Sequence, residues 1–221
     1  MSASGRIGIG MAIGGLLAAA GSGLAGAGTA ATASQKAQAK KALVALYDLP
    51  KGWTSTPVPS TSAGTFSGAP RLAKCMGVPT KLIANNPPRV VSPVFEDGGG
   101  SELVQDTISI YPSATYAKAV FAAISSHKAA GCIGSLMNAS SAGAGSTGHV
   151  TVTRVASAKG TAAFTLDATV SANGSTPTPT STEVVYFFDG PFGNGLNVET
   201  SGSEAPAALT DHLLALVRGR L

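Results

Sequence analysis

Between Leu103 and Tyr111, Val104, Ile108 and Ile110 share one parity while Gln105, Thr107 and Ser109 share the other. From Phe164 to Ser171, Phe164, Leu166, Ala168 and Val170 alternate with Thr165, Asp167, Thr169 and Ser171. A period of two places successive side chains on opposite faces of an extended chain, so both segments predict strands of a sheet with a covered face. Val90 to Phe95, Val150 to Val155, Val184 to Phe188 and Leu196 to Thr200 are further strand candidates. The connections are Glu96 to Gly100, Lys159-Gly160, the Pro/Thr/Ser-rich stretch Asn173 to Thr182, and Gly193-Asn194-Gly195, which reads as a hairpin turn. Short, turn-rich connections of this kind pair strands antiparallel.

Three segments predict helices. Gln35 to Tyr47 carries no glycine or proline, and Leu43, Leu46 and Tyr47 fall on one face. Asp48 and Pro50 stop it and Gly52 permits a turn. Trp53, the sole tryptophan, then lies on apolar surface, a scaffold role that we favour over ligand stacking. Ser113 caps a second helix, with Ala117, Val120, Phe121 and Ile124 at helical spacing and Gly131 as its left-handed terminator. After Cys132 the stretch Asn138 to Gly148 reads as a loop. A last helix begins near Ala205 with Pro206 in its first turn, buries Leu209, Leu213, Leu216 and Val217, and ends on Arg218 and Arg220. The order predicts an α+β fold: a single antiparallel sheet of about six strands flanked by helices, not a parallel nucleotide-binding sheet.

Residues 1–33 read as a secretory signal, with Arg6, an apolar run from Ile7 to Ala20 and the cleavage pattern Ala31-Thr32-Ala33. The alternative is an uncleaved anchor, since Ile7 to Ala27 is nearly long enough to span a bilayer, and membrane contact is expected only through that segment. Residues 34–221 then form one secreted domain, in which 34–53 are the N-terminal helix and turn and 54–74 a Ser/Thr/Pro-rich connection. In an oxidising compartment the only two cysteines, Cys75 and Cys132, favour one disulfide over a metal site. His127, His149 and His212 show no ligand spacing. The net charge of +4 is small and scattered, and gives no footprint for nucleic acid.

No motif assembles a reaction. Ala144-Gly145-Ser146-Thr147-Gly148 resembles a nucleophile elbow, but the order is helix before and strand after, the reverse of what exposes the serine. Asp106 shares parity with Val104 and Ile108, so it is either a functional carboxylate in a cleft or one answered by a partner such as Arg154 or by water at a strand end. Tyr186 lies in an aromatic strand facing both ways, where core packing competes with a pocket-lining role. Phe192, read at a turn, is the better candidate for an exposed contact. Asn138-Ala139-Ser140 and Asn173-Gly174-Ser175 match the glycosylation pattern.

Leu46, Asp48, Leu49, Pro50, Gly52 and Trp53, then Cys75 with Gly77, then Phe121 and Cys132, resemble the secreted or lipid-anchored sensor-like domains of actinobacteria related to the extracellular domain of the kinase PknH. The resemblance implies an antiparallel sheet flanked by helices, a cleft for an unidentified extracellular ligand and no established catalytic activity, and no cofactor is expected. The expected function is a non-enzymatic, secreted ligand-binding domain at the cell envelope, with an unidentified small molecule, envelope component or protein as partner. Asp106, Tyr186 and Phe192 are the candidate contacts, and Asp48, Pro50, Gly52 and Trp53 the structural signature. The alternatives are an envelope hydrolase with a spatially assembled site and a structural or adhesion protein.

Overall fold

The computed structural model describes residues 31–58, 68–84, 87–143, 147–171, 178–201 and 206–221. The long strands are β4 (Glu102–Ile110), β5 (Thr147–Val155), β6 (Thr161–Ser171), β7 (Thr178–Asp189) and β8 (Phe192–Ser201), and the short ones are β1 (Thr54–Thr56), β2 (Arg89–Val91) and β3 (Val94–Glu96). They form one antiparallel sheet in the order β1-β3-β4-β8-β7-β6-β5, with β2 also pairing β4. Among the described residues the sheet has eight strands, where about six were expected. Val90 to Phe95 divides at Ser92-Pro93, because proline offers no N–H to continue a ladder, and β1 arises within the expected connection.

Among the described residues six α-helices cover the sheet: α1 (Ala33–Ala42), α2 (Ala69–Met76), α3 (Thr80–Ala84), α4 (Ala114–Ile124), α5 (Ala129–Gly143) and α6 (Ala207–Arg220). Each sheet face carries its own core. On the first, Leu72, Met76, Val120, Ile124, Ile133 and Leu136 of α2, α4 and α5 meet Phe164, Leu166, Val184 and Tyr186. On the second, Ala39 and Ala42 of α1 and Leu213 and Val217 of α6 meet Val104, Ile108, Val185, Phe187, Leu196 and Val198.

Several expected boundaries move, each for a local reason. The first helix stops at Ala42, not Tyr47; Leu43 turns to φ −54°, ψ 147°, and only a short 3-10 turn follows at Leu46–Asp48. Tyr47 is consequently 80% exposed and does not share a buried helix face with Leu43. Gly131 lies inside α5 and is no terminator; α4 ends at Ile124, with Ser125 as its cap. The expected loop from Asn138 is helical through Gly143, while Ser146 lies outside the described residues. Pro206 caps α6 from just outside its first turn. The signal-like residues 1–30 and the Asn173 motif also fall outside the described residues.

Gly193-Asn194-Gly195 is not a turn but the start of β8; the β7–β8 turn is at Gly190 and Pro191, with Gly190 at φ 51°. A Cβ at Gly193 would lie 2.7 Å from both the Phe188 and Tyr111 rings, and one at Gly195 would lie 3.1 Å from the Tyr186 ring. These glycines let aromatic rings lie flat on the strand, the close approach for which strand glycines are kept.

At the other end of the sheet, α5 is held against the edge strand β5. Asn138 accepts from the Val150 N–H at 2.8 Å and donates to the Val150 carbonyl at 2.9 Å. Gly134 keeps the helix close, since a Cβ there would meet the Val152 side chain at 3.4 Å. Main-chain groups of an edge strand that would template another chain are thereby occupied. The same pairing engages the Asn138 side-chain amide of the Asn138-Ala139-Ser140 motif.

Cys75 near the end of α2 and Cys132 in the first turn of α5 form a disulfide with Cα atoms 5.7 Å apart. The bridge ties two helices of the first face across a separation of 57 residues. In the chain-entropy account a loop of that length contributes about 4 kcal/mol. The C75S/C132S variant is expected to lose stability of about that size in urea unfolding. A change within error of zero would show that the bridge does not constrain the unfolded chain.

Candidate functional site

Asp106 lies on the second face and is 0% exposed. One carboxylate oxygen accepts the Val44 N–H at 3.1 Å, and the other accepts the Asn194 side-chain amide. Its own backbone N–H donates to Ser92 Oγ at 3.0 Å, and its carbonyl accepts from the Ser92 N–H at 2.9 Å. One residue thus holds the α1 exit, the β2–β3 break and strand β8. The capture of Val44 gives the physical reason that the first helix ends early: its N–H is drawn out of the helical ladder.

Beside this pin, Asp48 accepts the Ala45 N–H at 2.9 Å and pairs bidentately with Arg220 at 2.6 and 2.7 Å. Arg220 also donates to the Leu43 carbonyl at 3.3 Å and lies over the Tyr47 ring. The last turn of α6 therefore closes on the segment that Asp106 anchors. The Arg220 guanidinium holds the Asp48 carboxyl below its ordinary range. Burial acts in the opposite direction on Asp106 and pushes its carboxyl up to about 7, although Val44, Asn194 and the Arg220 charge oppose the rise.

The first face carries a different array. Cross-strand partners share a face, so the registers Gln105↔Asn197↔Val184, Thr107↔Gly195↔Tyr186 and Ser109↔Gly193↔Phe188 set these side chains in rows across β4, β8 and β7. Tyr186 is 6% exposed and its ring overlies Gly195. Among the described residues its buried hydroxyl has no hydrogen-bond partner, and neither has the Asn197 Oδ1, two residues along β8. Burial holds the Tyr186 hydroxyl well above the ordinary tyrosine range, so it stays protonated. The amide orientation of Asn197 is set by its Nδ2, which donates to the Gln105 carbonyl at 3.4 Å. Thr107 is buried beside them, while its neighbour on β2, Val91, is 38% exposed, so this floor borders solvent along β2.

The three sequence candidates are therefore not brought together. Asp106 and Phe192 belong to the second face and Tyr186 to the first. Phe192 is 5% exposed and packs in the second core, so the exposed-contact reading is corrected: it begins a strand after the turn. Arg154 does not answer Asp106 but donates to the Ser125 carbonyl. Gly52 takes φ 103° and Trp53 packs at the border of the second core. Sequence reasoning missed Asn194 and Asn197, whose signal was parity: with Gly193-Asn194-Gly195 read as strand, Asn194 falls on one face, and Asn197 on the other with the two glycines. Among the described residues no group of three His, Cys, Asp or Glu side chains could hold a metal.

The class that the fold defines is an antiparallel sheet between two helical layers, α+β, with one disulfide. No family profile and no curated protein match the sequence. Among solved structures, the extracellular domain of PknH from Mycobacterium tuberculosis is similar at a TM-score of 0.35 and 10% identity, over 59% of this chain and 63% of that one. A likeness of that size assigns neither residues nor activity.

The Asp106 environment predicts a pH dependence. Its folded value lies above the ordinary 3.8, so the folded state holds the proton more tightly. The resulting stability is complete below about 4 and is lost as pH rises through about 7. The full loss is on the order of 4 kcal/mol. Urea unfolding between pH 5 and 8 should show this decline in the wild type and a nearly flat profile in Asp106→Asn. Equal slopes in the two proteins would remove Asp106 as the cause.

Proposed function

We propose that this chain is an exported, non-enzymatic, sensor-like domain that binds a small molecule on the first face of its sheet. The observation that supports the reading is that the Tyr186 hydroxyl and the Asn197 Oδ1, both buried on that face, find no hydrogen-bond partner among the described residues. Leaving such groups unpaired costs about 1–3 kcal/mol each, and folds retain that kind of cost mainly where a site needs it. The disulfide supports an oxidising, extracytoplasmic setting. The sensor-like domains that the Leu46-to-Trp53 motif resembles fit the same reading. Asp106 is assigned a positioning role away from the ligand, because its two oxygens are already engaged by Val44 and Asn194.

A floor kept for binding carries a stability cost that a purely structural tyrosine does not. Tyr186→Phe removes the unpaired hydroxyl and is expected to leave thermal stability unchanged or raise it by about 1 kcal/mol. The same variant should retain less small molecule in native mass spectrometry after incubation with envelope extract. Destabilisation by Tyr186→Phe, or wild-type protein that stays ligand-free, would contradict the reading.

A further inference from the structure

We infer that the outer surface of the helices on the first face, α2 to α5, docks on an anionic lipid bilayer. Its cations are far apart in sequence, and folding gathers them. Arg71 and Lys74 of α2, Lys81 of α3, Lys118 of α4 and Lys128 just before α5 are all exposed. The disulfide joins Cys75, next to Lys74, to Cys132, whose N–H donates to the Lys128 carbonyl at 3.0 Å. The Tyr116 hydroxyl donates to the Lys81 carbonyl at 2.6 Å, which sets the turn carrying Lys118 against α3. Arg154, exposed on β5, donates to the Ser125 carbonyl in the link that carries Lys128.

Nothing within the layer answers this charge. Helices α2 to α5 and the links 77–79 and 125–128 contain no aspartate or glutamate. Asp167, Glu183 and Asp189 alternate with Leu166, Val184 and Phe188 of the first core, and so lie on the second face. Glu96 and Glu199, both paired with Leu103, share the first face but belong to β3 and β8, not to the helices. Four of the five helical-layer cations are lysines, point charges without the fork by which arginine selects one fixed phosphate. Mobile headgroups meet such charges without needing a groove. Leu46, Tyr47 and Val91, the large apolar side chains exposed among the described residues, lie outside the layer. Contact therefore stays at the headgroups, and the layer offers nucleic acid no exposed aromatic on which bases could stack.

Cosedimentation of the full chain with vesicles of phosphatidylcholine, alone or mixed equally with phosphatidylglycerol, tests the surface. Attachment through the apolar residues 7–27 contributes to both, so the gain on anionic vesicles is the readout. That gain should vanish as salt rises from about 0.1 M to about 1 M. A lysine at such a surface contributes about fivefold, so Lys74→Gln/Lys118→Gln/Lys128→Gln should weaken anionic binding at least about tenfold. Arginine at the same three positions should preserve it, and thermal melting checks that each variant folds. Lys36→Gln/Lys40→Gln/Lys41→Gln, on exposed lysines of α1, removes equal charge from the other helical layer and should cost much less. The proposal falls if the wild type shows no gain, if the gain survives the α2-to-α5 substitutions, or if the α1 substitutions remove it equally. Binding of soluble polyphosphate in place of vesicles would also overturn it, by giving the layer a different partner.

Discussion

A carboxyl group with no solvent exposure, set on a central strand, is the constraint around which this domain is arranged. Asp106 could have been the site of acid–base chemistry. Its partners assign it otherwise, because Val44 and Asn194 take up its oxygens and Ser92 takes up its backbone. The carboxyl is costly to bury, and what that burial secures is a junction between elements far apart in sequence. Arg220 and Asp48 complete the junction from the C-terminal helix at 2.6 Å. The segment after α1 and the last turn of α6 are thus tied to the middle of the same sheet.

Strand β8 connects this scaffold to the proposed floor. Its asparagines point to opposite faces, Asn194 to the Asp106 pin and Asn197 to the Tyr186 side, and its two glycines make room for rings from β7 and from Tyr111. Packing on the second face and the proposed floor on the first are therefore served by opposite faces of one strand. A change at Gly193 or Gly195 would press on the aromatic layer of the first face while leaving the second-face side chains in register.

The sheet was legible in the sequence wherever alternation was undisturbed. Val104, Ile108 and Ile110 and the run Phe164 to Ala168 lie on the faces that their parity implies, and Ser113 caps its helix by accepting the Tyr116 N–H at 3.1 Å. What was not legible depended on tertiary partners. Nothing local reveals that Val44 leaves the helix for a carboxylate 62 residues away, or that Gly193 and Gly195 serve ring packing instead of a turn. Gly131 and Asn138 look like loop formers by composition, yet both lie in α5, which Gly134 and Asn138 hold against β5. The inward position of Asp106 followed from parity, but Asn194 as its partner did not, because the turn reading had removed that residue from the sheet. Of the floor, Tyr186 was visible as an aromatic in a strand, while the role of Asn197 required the register.

The central claim is that the Asp106 carboxylate, and not helical propensity, positions the segment after α1. Amide hydrogen exchange at Val44 reads that bond directly. The account predicts that Val44 is protected in the wild type to a degree comparable with the β4 amides. In Asp106→Ala it should exchange freely while the β6 and β7 amides remain protected. Free exchange of Val44 in the wild type, or undiminished protection in Asp106→Ala, would contradict the account.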